Sequence, residues 1–97
     1  MVVWSVPARA DLRNIFEYIA RDSHQYAKQV AEELTAKVGV LNGLPRIGRV
    51  VAEIGDENVR ELPLYAYRIL YEITGDDIFI LAVVHKRREL LAEQIGK

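Results

Sequence analysis

Apolar residues recur every three to four positions through the first half of the chain, which predicts two amphipathic helices. The first helix follows Pro7, because proline fits a first helical turn, where its missing N–H needs no partner. Asp22 and Ser23 interrupt it, and a second helix extends from His24 to about Asn42. Two helices with so short a break form a helical hairpin. The apolar stripes are Ala8, Leu12, Ile15, Phe16 and Ile19 on the first helix and Ala27, Val30, Ala31, Leu34, Val38 and Leu41 on the second.

The second half of the chain changes to patterns that are typical of strands. In residues 65–73 large apolar side chains occupy every second position, a period of two that indicates a strand. They are Tyr65, Tyr67, Ile69, Tyr71 and Ile73, which alternate with Ala66, Arg68, Leu70 and Glu72. Residues 78–84 form a continuous apolar run, as expected of a central strand covered on both faces. Residues 59–62 continue extended as far as Pro63. The predicted strands are residues 2–5, 50–54, 65–73 and 78–84, with turns at residues 55–58 and 74–77.

These elements follow one another in the order β-α-α-β-β-β. This order predicts an α+β domain in which the helical hairpin packs on a small antiparallel sheet. We expect a single domain over residues 1–97, because no repeat, linker or low-complexity stretch interrupts the chain. After the last strand, residues 88–95 predict a short helix with Leu90, Leu91 and Ile95 on its apolar side.

Composition narrows the class of protein. Of the 97 residues, 51% are hydrophobic and 28% are charged, which is typical of a globular and not a disordered chain. The absence of cysteine excludes disulfides and thiolate chemistry, and neither zinc-ligand spacing nor a phosphate-binding glycine loop is present, so we expect no cofactor and no metal. No apolar run approaches the roughly 20 residues of a membrane span. The first residues also lack the pattern of a secretory leader, so we expect a cytoplasmic protein without a membrane partner.

Charge suggests two interpretations of the end of the last strand. The net charge of −1 argues against a dedicated nucleic-acid binder, although arginine, which binds carboxylates and phosphates well, supplies nine of the thirteen cations. A cationic run follows the apolar residues of this strand, either as a contact edge for an anionic partner or as a solvated surface. It comprises His85, Lys86, Arg87 and Arg88.

Several side chains are candidates for chemistry. His85 can act as a general base near neutral pH, or it can be a hydrogen-bonded structural residue. If the strands that carry them are neighbours, Glu53 and His85 would form an acid–base pair suited to RNA cleavage without a metal, with an arginine stabilising charge on the phosphate. Arg60 follows a predicted turn, and a structural and a functional role are both open for it.

Arg68 and the aromatic residues of the second half have structural alternatives. Arg68 lies within an otherwise apolar strand and needs an acidic partner, which predicts an ion pair with Glu53, Glu61 or Glu72. The aromatic side chains are either residues at the edge of the core or a stacking platform for nucleic-acid bases. They are Tyr65, Tyr67, Tyr71 and Phe79.

Five segments, in order along almost the whole chain, resemble the RelE/ParE superfamily of toxins and especially its ParE branch. The segments are Ala10-Asp11-Leu12 with Tyr18-Ile19-Ala20, Pro45 with Gly48-Arg49, Val59-Arg60-Glu61-Leu62, Tyr67-Arg68-Ile69-Leu70-Tyr71, and Val84-His85-Lys86-Arg87-Arg88. The resemblance implies the toxin of a bacterial type II toxin–antitoxin system of the plasmid-stabilisation kind, neutralised by a cognate antitoxin with which it can form a hetero-oligomer.

The resemblance implies one of two activities. ParE-like members poison DNA gyrase without nuclease activity, whereas RelE-like members cleave messenger RNA on the ribosome without a metal. Cleaving members carry basic residues on the second strand, where this chain has residues 50–53, and often a late aromatic residue, where it has Lys86 or Glu93. We therefore expect a ParE-like gyrase inhibitor. For this activity the target-binding residues would be Arg60, His85, Lys86, Arg87 and Arg88.

The alternative is a RelE-like endoribonuclease. Its implied catalytic residues are Glu53, Arg60, His85 and Arg87, because Arg60 and Arg87 match arginines of cleaving members and Glu53, Arg60 and His85 match a glutamate, an arginine and a histidine of others. Its partners would be the ribosome and messenger RNA.

Overall fold

A computed structural model of the chain describes residues 1–86. The predicted arginines Arg87 and Arg88, Glu93 and the predicted helix of residues 88–95 lie outside the described residues. The described elements are strand β1 (Val2–Trp4), helices α1 (Val6–Ala20) and α2 (His24–Gly39), a 3-10 turn (Val40–Asn42), and strands β2 (Arg49–Val50), β3 (Val59–Leu64), β4 (Tyr67–Thr74) and β5 (Asp77–His85).

The two helices begin at serine caps. The Ser5 hydroxyl accepts the N–H of Ala8 at 3.1 Å, and the Ser23 hydroxyl accepts that of Tyr26 at 3.1 Å, so each cap satisfies an N–H that has no partner inside its helix. The apolar stripes of both helices pack on one face of the sheet, here called the helix face. The predicted helical hairpin is thus confirmed. None of the helices within residues 1–86 has the length and apolar character needed to cross a bilayer.

The strands form one five-stranded sheet in the order β1-β5-β4-β3-β2. The pairs β2–β3, β3–β4 and β4–β5 are antiparallel, as expected from short connections. Strand β1 pairs with β5 in parallel, because the helical hairpin returns the chain to the far side of the sheet. The predicted α+β fold is therefore confirmed, and its sheet is mixed where the sequence predicted an antiparallel one.

The strand predicted at residues 50–54 is shorter than expected. Only Arg49 and Val50 pair with β3, and the chain then turns, because the carbonyl of Val51 accepts the N–H groups of Ile54 and Gly55 at 3.1 and 2.9 Å. Gly55 has a φ of 75°, which glycine adopts without strain. The extended residues 59–62 instead belong to a full strand, β3.

Residues 51–58 form a loop that covers part of the sheet face opposite the helices, here called the loop face. Val51 and Ile54 of this loop pack there against Val59, Leu70 and Val84. The apolar strands are thus covered on both sides, which explains the continuous apolar run in β5.

Tyr65 is a turn residue and does not belong to the predicted strand of residues 65–73. It lies with Ala66 in the two-residue connection between β3 and β4, where Leu64 pairs with Tyr67. Its φ is 53°, a conformation that costs a bulky residue free energy. The period-two pattern continued into this turn because the turn happens to hold an aromatic and a small residue.

A β-bulge in β5 reverses which face its side chains occupy. Leu70 pairs with Ala82 and Tyr71 with Ile80, so Leu81 has no partner in β4. Ile80 and Val83 therefore both pack on the helix face, although they are three positions apart and would otherwise lie on opposite faces. Beyond the bulge the outer edge of β5 is bound by side chains, since the Ser5 hydroxyl donates to the Leu81 carbonyl at 3.2 Å and the Asp11 carboxylate accepts the N–H of Val83 at 3.0 Å.

Candidate functional site

Arg68 binds two glutamates on the loop face. Its Nη1 and Nη2 donate to the two carboxylate oxygens of Glu53 at 2.8 and 2.9 Å, and its Nε and Nη2 donate to those of Glu61 at 3.2 and 2.7 Å. The guanidinium is thus held between two carboxylates, and we call these three residues the Arg68 cluster. The hydrogen bonds from Glu53 and then those from Glu61 raise the pKa of Arg68 above its ordinary value.

The strand register and the loop of residues 51–58 together place the three residues of this cluster next to one another. Arg68 shares the loop face with Leu70, which pairs with Glu61 of β3. Glu53 arrives from the turn after β2 that carries the chain back over this face. The predicted ion pair of Arg68 is confirmed, and it involves two of the three acids that the sequence offered. Glu53 is therefore engaged as a structural counter-ion.

A cleft of about 470 Å³ opens at the Arg68 cluster, and we call it the Arg68 cleft. Arg49 and Lys86 add two further cations to its wall, so that three cations and two carboxylates of the described residues line one cleft. Its walls are formed by Arg49, Val50, Ala52, Glu53, Glu61, Pro63, Arg68 and Lys86.

Arg60 is bound to backbone carbonyls on the helix-face side of β3. Its Nε donates to the carbonyl of Glu57 at 2.8 Å, and its Nη1 donates to those of Gly48 at 2.9 Å and Arg46 at 3.5 Å. Since it ties the segment before β2 to the turn before β3, the geometry gives Arg60 a structural role.

Tyr71, which pairs with Arg60 across the strands, fixes the same segment from within. Its buried hydroxyl donates to the carbonyl of Pro45 at 2.8 Å and accepts the N–H of Gly48 at 3.0 Å. A Cβ at Gly48 would lie 2.5 Å from this hydroxyl oxygen, so only glycine fits. Burial raises the pKa of Tyr71 above 10.0. We call Arg60, Tyr71, Gly48 and Pro45 the Arg60 clamp.

His85 lies on the helix face, beside Tyr67. Their rings meet edge to face with centroids 6.2 Å apart. Exposed Tyr18 and Tyr26 of the helical hairpin lie nearby. Burial raises the pKa of Tyr67 most, and the charges of Tyr26 and Tyr18 raise it further. Tyr65 extends this surface from its strained turn, where its hydroxyl is hydrogen-bonded to Glu33. We call the surface formed by Tyr18, Tyr26, Tyr65, Tyr67 and His85 the aromatic end.

The structure does not bring the proposed acid–base pair together. Glu53 lies on the loop face with Arg68, whereas His85 lies on the helix face, and two strands separate β2 from β5. Arg60 is opposite Tyr71, four residues along β4 from the Tyr67 that neighbours His85, roughly 13 Å at strand spacing. Of the described candidates, only Glu53 and Lys86 share one cleft.

The proposed stacking platform is wrong in part. Tyr71 is completely buried in the Arg60 clamp, and Phe79 lies on β5 with its side chain on the opposite face from Ile78 and Ile80. Tyr65 and Tyr67 remain at the surface, where they are joined by Tyr18 and Tyr26, which the helical pattern did not single out. Their positions outside the apolar stripes were the available signal for exposure.

The chain matches the family described as ParE toxin of type II toxin-antitoxin system, parDE, over residues 2–90. Its fold resembles a chain of the chromosomal ParDE toxin–antitoxin system from P. aeruginosa, with a TM-score of 0.73 and 22% identity over 87% of this chain and 92% of the other. It also resembles a free double arginine-to-alanine variant of the E. coli toxin RelE, with a TM-score of 0.63 and 18% identity over 90% of this chain and 83% of the other. No curated protein matches the chain in sequence.

Proposed function

This chain belongs to the ParE toxin family, the toxins of type II toxin–antitoxin systems, and from this we propose that it stops growth by binding and poisoning DNA gyrase until a cognate antitoxin neutralises it. We propose further that residues 1–97 form a single toxin domain that acts in the cytoplasm. In this proposal the chain is an inhibitor that binds its target and makes or breaks no bond of its own.

The observation that carries the proposal is the separation of the candidate catalytic groups. A general acid and base must both lie within hydrogen-bond reach of the reacting atoms. Here Glu53 is bound by Arg68, Arg60 is bound by three carbonyls, and His85 lies on the other face of the sheet from Glu53. A protein that acts through contact area needs no such convergence.

The aromatic end is the surface that we assign to the target. Exposed tyrosines give large contact area at a small cost in conformational entropy and are enriched among the residues that dominate binding energies. Arg21, over the ring of Tyr18 at 6.0 Å, adds a cation to this surface. His85 belongs to it, whereas Lys86, the next residue of the predicted contact edge, lines the Arg68 cleft on the loop face.

The antitoxin would bind as a segment that folds on this domain. An amphipathic or extended segment gains free energy by covering apolar side chains such as Tyr18 and Tyr26 on the helical hairpin. A neutralised toxin would then be one half of a hetero-oligomer. The RelE-like alternative, which requires Glu53, Arg60 and His85 around one phosphate, receives no support from their positions.

The test is a gyrase supercoiling assay with the purified chain. The proposal expects supercoiling to fall as toxin is added and to return when the purified cognate antitoxin is added in equal amount. Supercoiling that stays intact at saturating toxin would contradict it. Primer extension on ribosomes translating in the presence of toxin tests the alternative, which requires new messenger RNA ends that disappear in the His85→Ala and Arg60→Ala variants.

A further inference from the structure

The two carboxylates that bind Arg68 are held by the chain in different ways. Glu61 belongs to β3 and its side chain is 6% exposed, so it is a fixed part of the sheet. Glu53 belongs to the loop of residues 51–58 and its side chain is 27% exposed. A rotation about the bonds of the Glu53 side chain would carry its carboxylate into solvent while Val51 and Ile54 stay packed. Glu53 is therefore the exchangeable partner of Arg68.

The charges of the Arg68 cleft favour an anion in the place of that carboxylate. Among the described residues that line it, the cleft without Glu53 would hold the three cations Arg49, Arg68 and Lys86 against one acid, Glu61. Arg49 lies 3.5 Å from Glu61, and its side chain is 80% exposed, so its guanidinium faces the mouth of the cleft. Glu53 offsets only part of this positive charge.

We propose that the Arg68 cleft is a binding site for a peptide segment of a partner protein that carries two acidic side chains, and that Glu53 occupies the place of one of them in the free chain. The first acidic side chain replaces Glu53 on Nη1 and Nη2 of Arg68. The second binds Arg49 or Lys86 at the rim of the cleft. This inference concerns the loop face alone, and it holds whatever the toxin's target is.

The exchange avoids the main cost of opening a buried ion pair. Removing one partner of such a pair is unfavourable because the other charge is left without a counter-ion. Replacing one carboxylate by another keeps Arg68 paired throughout, and no step leaves a buried charge alone. The ligand must still compete with the carboxylate of Glu53, which has a high effective concentration because it is attached to the same chain. The ligand therefore needs two acidic side chains where one would not suffice.

The chemistry of the site favours a carboxylate over a phosphate. Arginine presents its N–H groups in a planar fork that matches two carboxylate oxygens, and both partners of Arg68 use such a fork. Glu61 remains on Arg68 after the exchange, so a doubly charged phosphate would meet a fixed negative charge at short range. A singly charged carboxylate meets less repulsion.

The test compares binding of a defined peptide to the full chain and its variants. The probe is an acetylated and amidated peptide with two adjacent glutamates between glycines, titrated while the Nε–H resonance of Arg68 is followed by NMR. Glu53→Ala should bind this peptide about 10-fold more tightly than the wild type, because the attached competitor is gone. Adding Lys86→Ala to that variant should weaken binding again by up to about 5-fold.

Glu57→Ala is the matched control, since it removes one acid from the same loop without touching Arg68. It should change affinity by less than about 2-fold. An equal gain for Glu57→Ala and Glu53→Ala would overturn the proposal, because the effect would then be diffuse charge. A peptide with two glutamines, and inorganic phosphate, should each bind Glu53→Ala more weakly than the acidic peptide. If phosphate binds as tightly, the assignment to carboxylates is wrong.

Folding is checked by circular dichroism before each titration. If Glu53→Ala does not fold, Glu53→Gln replaces it, because the amide oxygen keeps one acceptor for Arg68 while the charge is lost. Glu53→Gln should also gain affinity over the wild type, by a smaller factor. A folded variant that binds no more tightly than the wild type contradicts the proposal.

Discussion

Tyr67 and Arg68 are neighbours in β4, yet they belong to two regions with opposite properties. On the loop face, the guanidinium of Arg68 lies between Glu53 and Glu61 and donates hydrogen bonds to both carboxylates. On the helix face, Tyr67 belongs to the aromatic end, where Tyr18, Tyr26 and Tyr65 are exposed. The comparison teaches that the described charges of the Arg68 cluster are bound to one another within the fold, whereas the rings of the aromatic end are turned to solvent.

The largest expected effect comes from breaking the enclosed region. Arg68→Ala would remove the guanidinium that binds both carboxylates and leave their negative charges close together, so we expect the free energy of unfolding to fall by about 3–5 kcal/mol. Urea denaturation measures this change. Arg49→Ala removes a cation from the same cleft at an exposed position and should cost at most about 1 kcal/mol. Equal losses for the two variants would show that the Arg68 cluster does not stabilise the fold as described.

The second effect concerns the Arg60 clamp, the other enclosed region. Gly48→Ala would place a methyl group 2.5 Å from the Tyr71 hydroxyl oxygen and 2.6 Å from the carbonyl oxygen of Glu61. We expect a loss of about 1–3 kcal/mol in thermal or urea unfolding. Gly39→Ala, at a helical position with open space around it, should instead be neutral or stabilise by up to about 1 kcal/mol. A Gly48→Ala variant as stable as the wild type would argue against the clamp.

The aromatic end should show the opposite combination of effects. Tyr65→Gly removes an exposed ring and relieves a positive φ, so stability should stay within about 1 kcal/mol of the wild type. Inhibition of gyrase should nevertheless weaken by about 10-fold or more, the loss of a residue important for binding. Thermal unfolding and supercoiling titrations on the same preparation separate the two properties. Unchanged inhibition would remove Tyr65 from the contact surface.

The smallest effect is expected at alkaline pH. The pKa values of Tyr67 and Tyr71 are raised above 10.0 in the folded chain, in both cases first by burial. The folded state therefore keeps these protons longer than the unfolded state, so their contribution is complete below pH 10 and is lost as the pH rises through the raised pKa values. Unfolding free energies measured from pH 9 to 11.5 should fall, and Tyr71→Phe should reduce the slope. An identical slope in that variant would contradict the assignment.

The fold was largely predictable from the sequence because the helices and most strands have a recognisable local pattern of apolar residues. Apolar spacing located α1 and α2, and the demand of Arg68 for an acid predicted its ion pair. The predicted turn at residues 55–58 lies in the observed loop, but residues 51–54 were wrongly assigned to a strand, because Val51 has the same β-branched character in a turn as in a strand. Tyr65 was missed because a two-residue turn can preserve a period of two.

The candidate site was less predictable because the bulge at one residue, Leu81, determines on which face of the sheet His85 and Lys86 lie. With unbroken alternation from Ile80, His85 would lie on the loop face, the side of Glu53. The bulge at Leu81 adds one residue to β5, so His85 lies beside Tyr67 and Lys86 lines the Arg68 cleft instead. A bulge depends on pairing between distant strands, and the residues 78–84 are apolar on both faces and carry no mark of it.

The most direct measurement places both regions in one gyrase assay. Supercoiling is followed with the wild type, with Glu53→Gln on the loop face, and with the double variant Tyr67→Ala/His85→Ala at the aromatic end, each shown to be folded. We predict that the wild type and Glu53→Gln inhibit gyrase alike and that the double variant loses inhibition. Retained inhibition by the double variant, together with its loss in Glu53→Gln, would contradict the account.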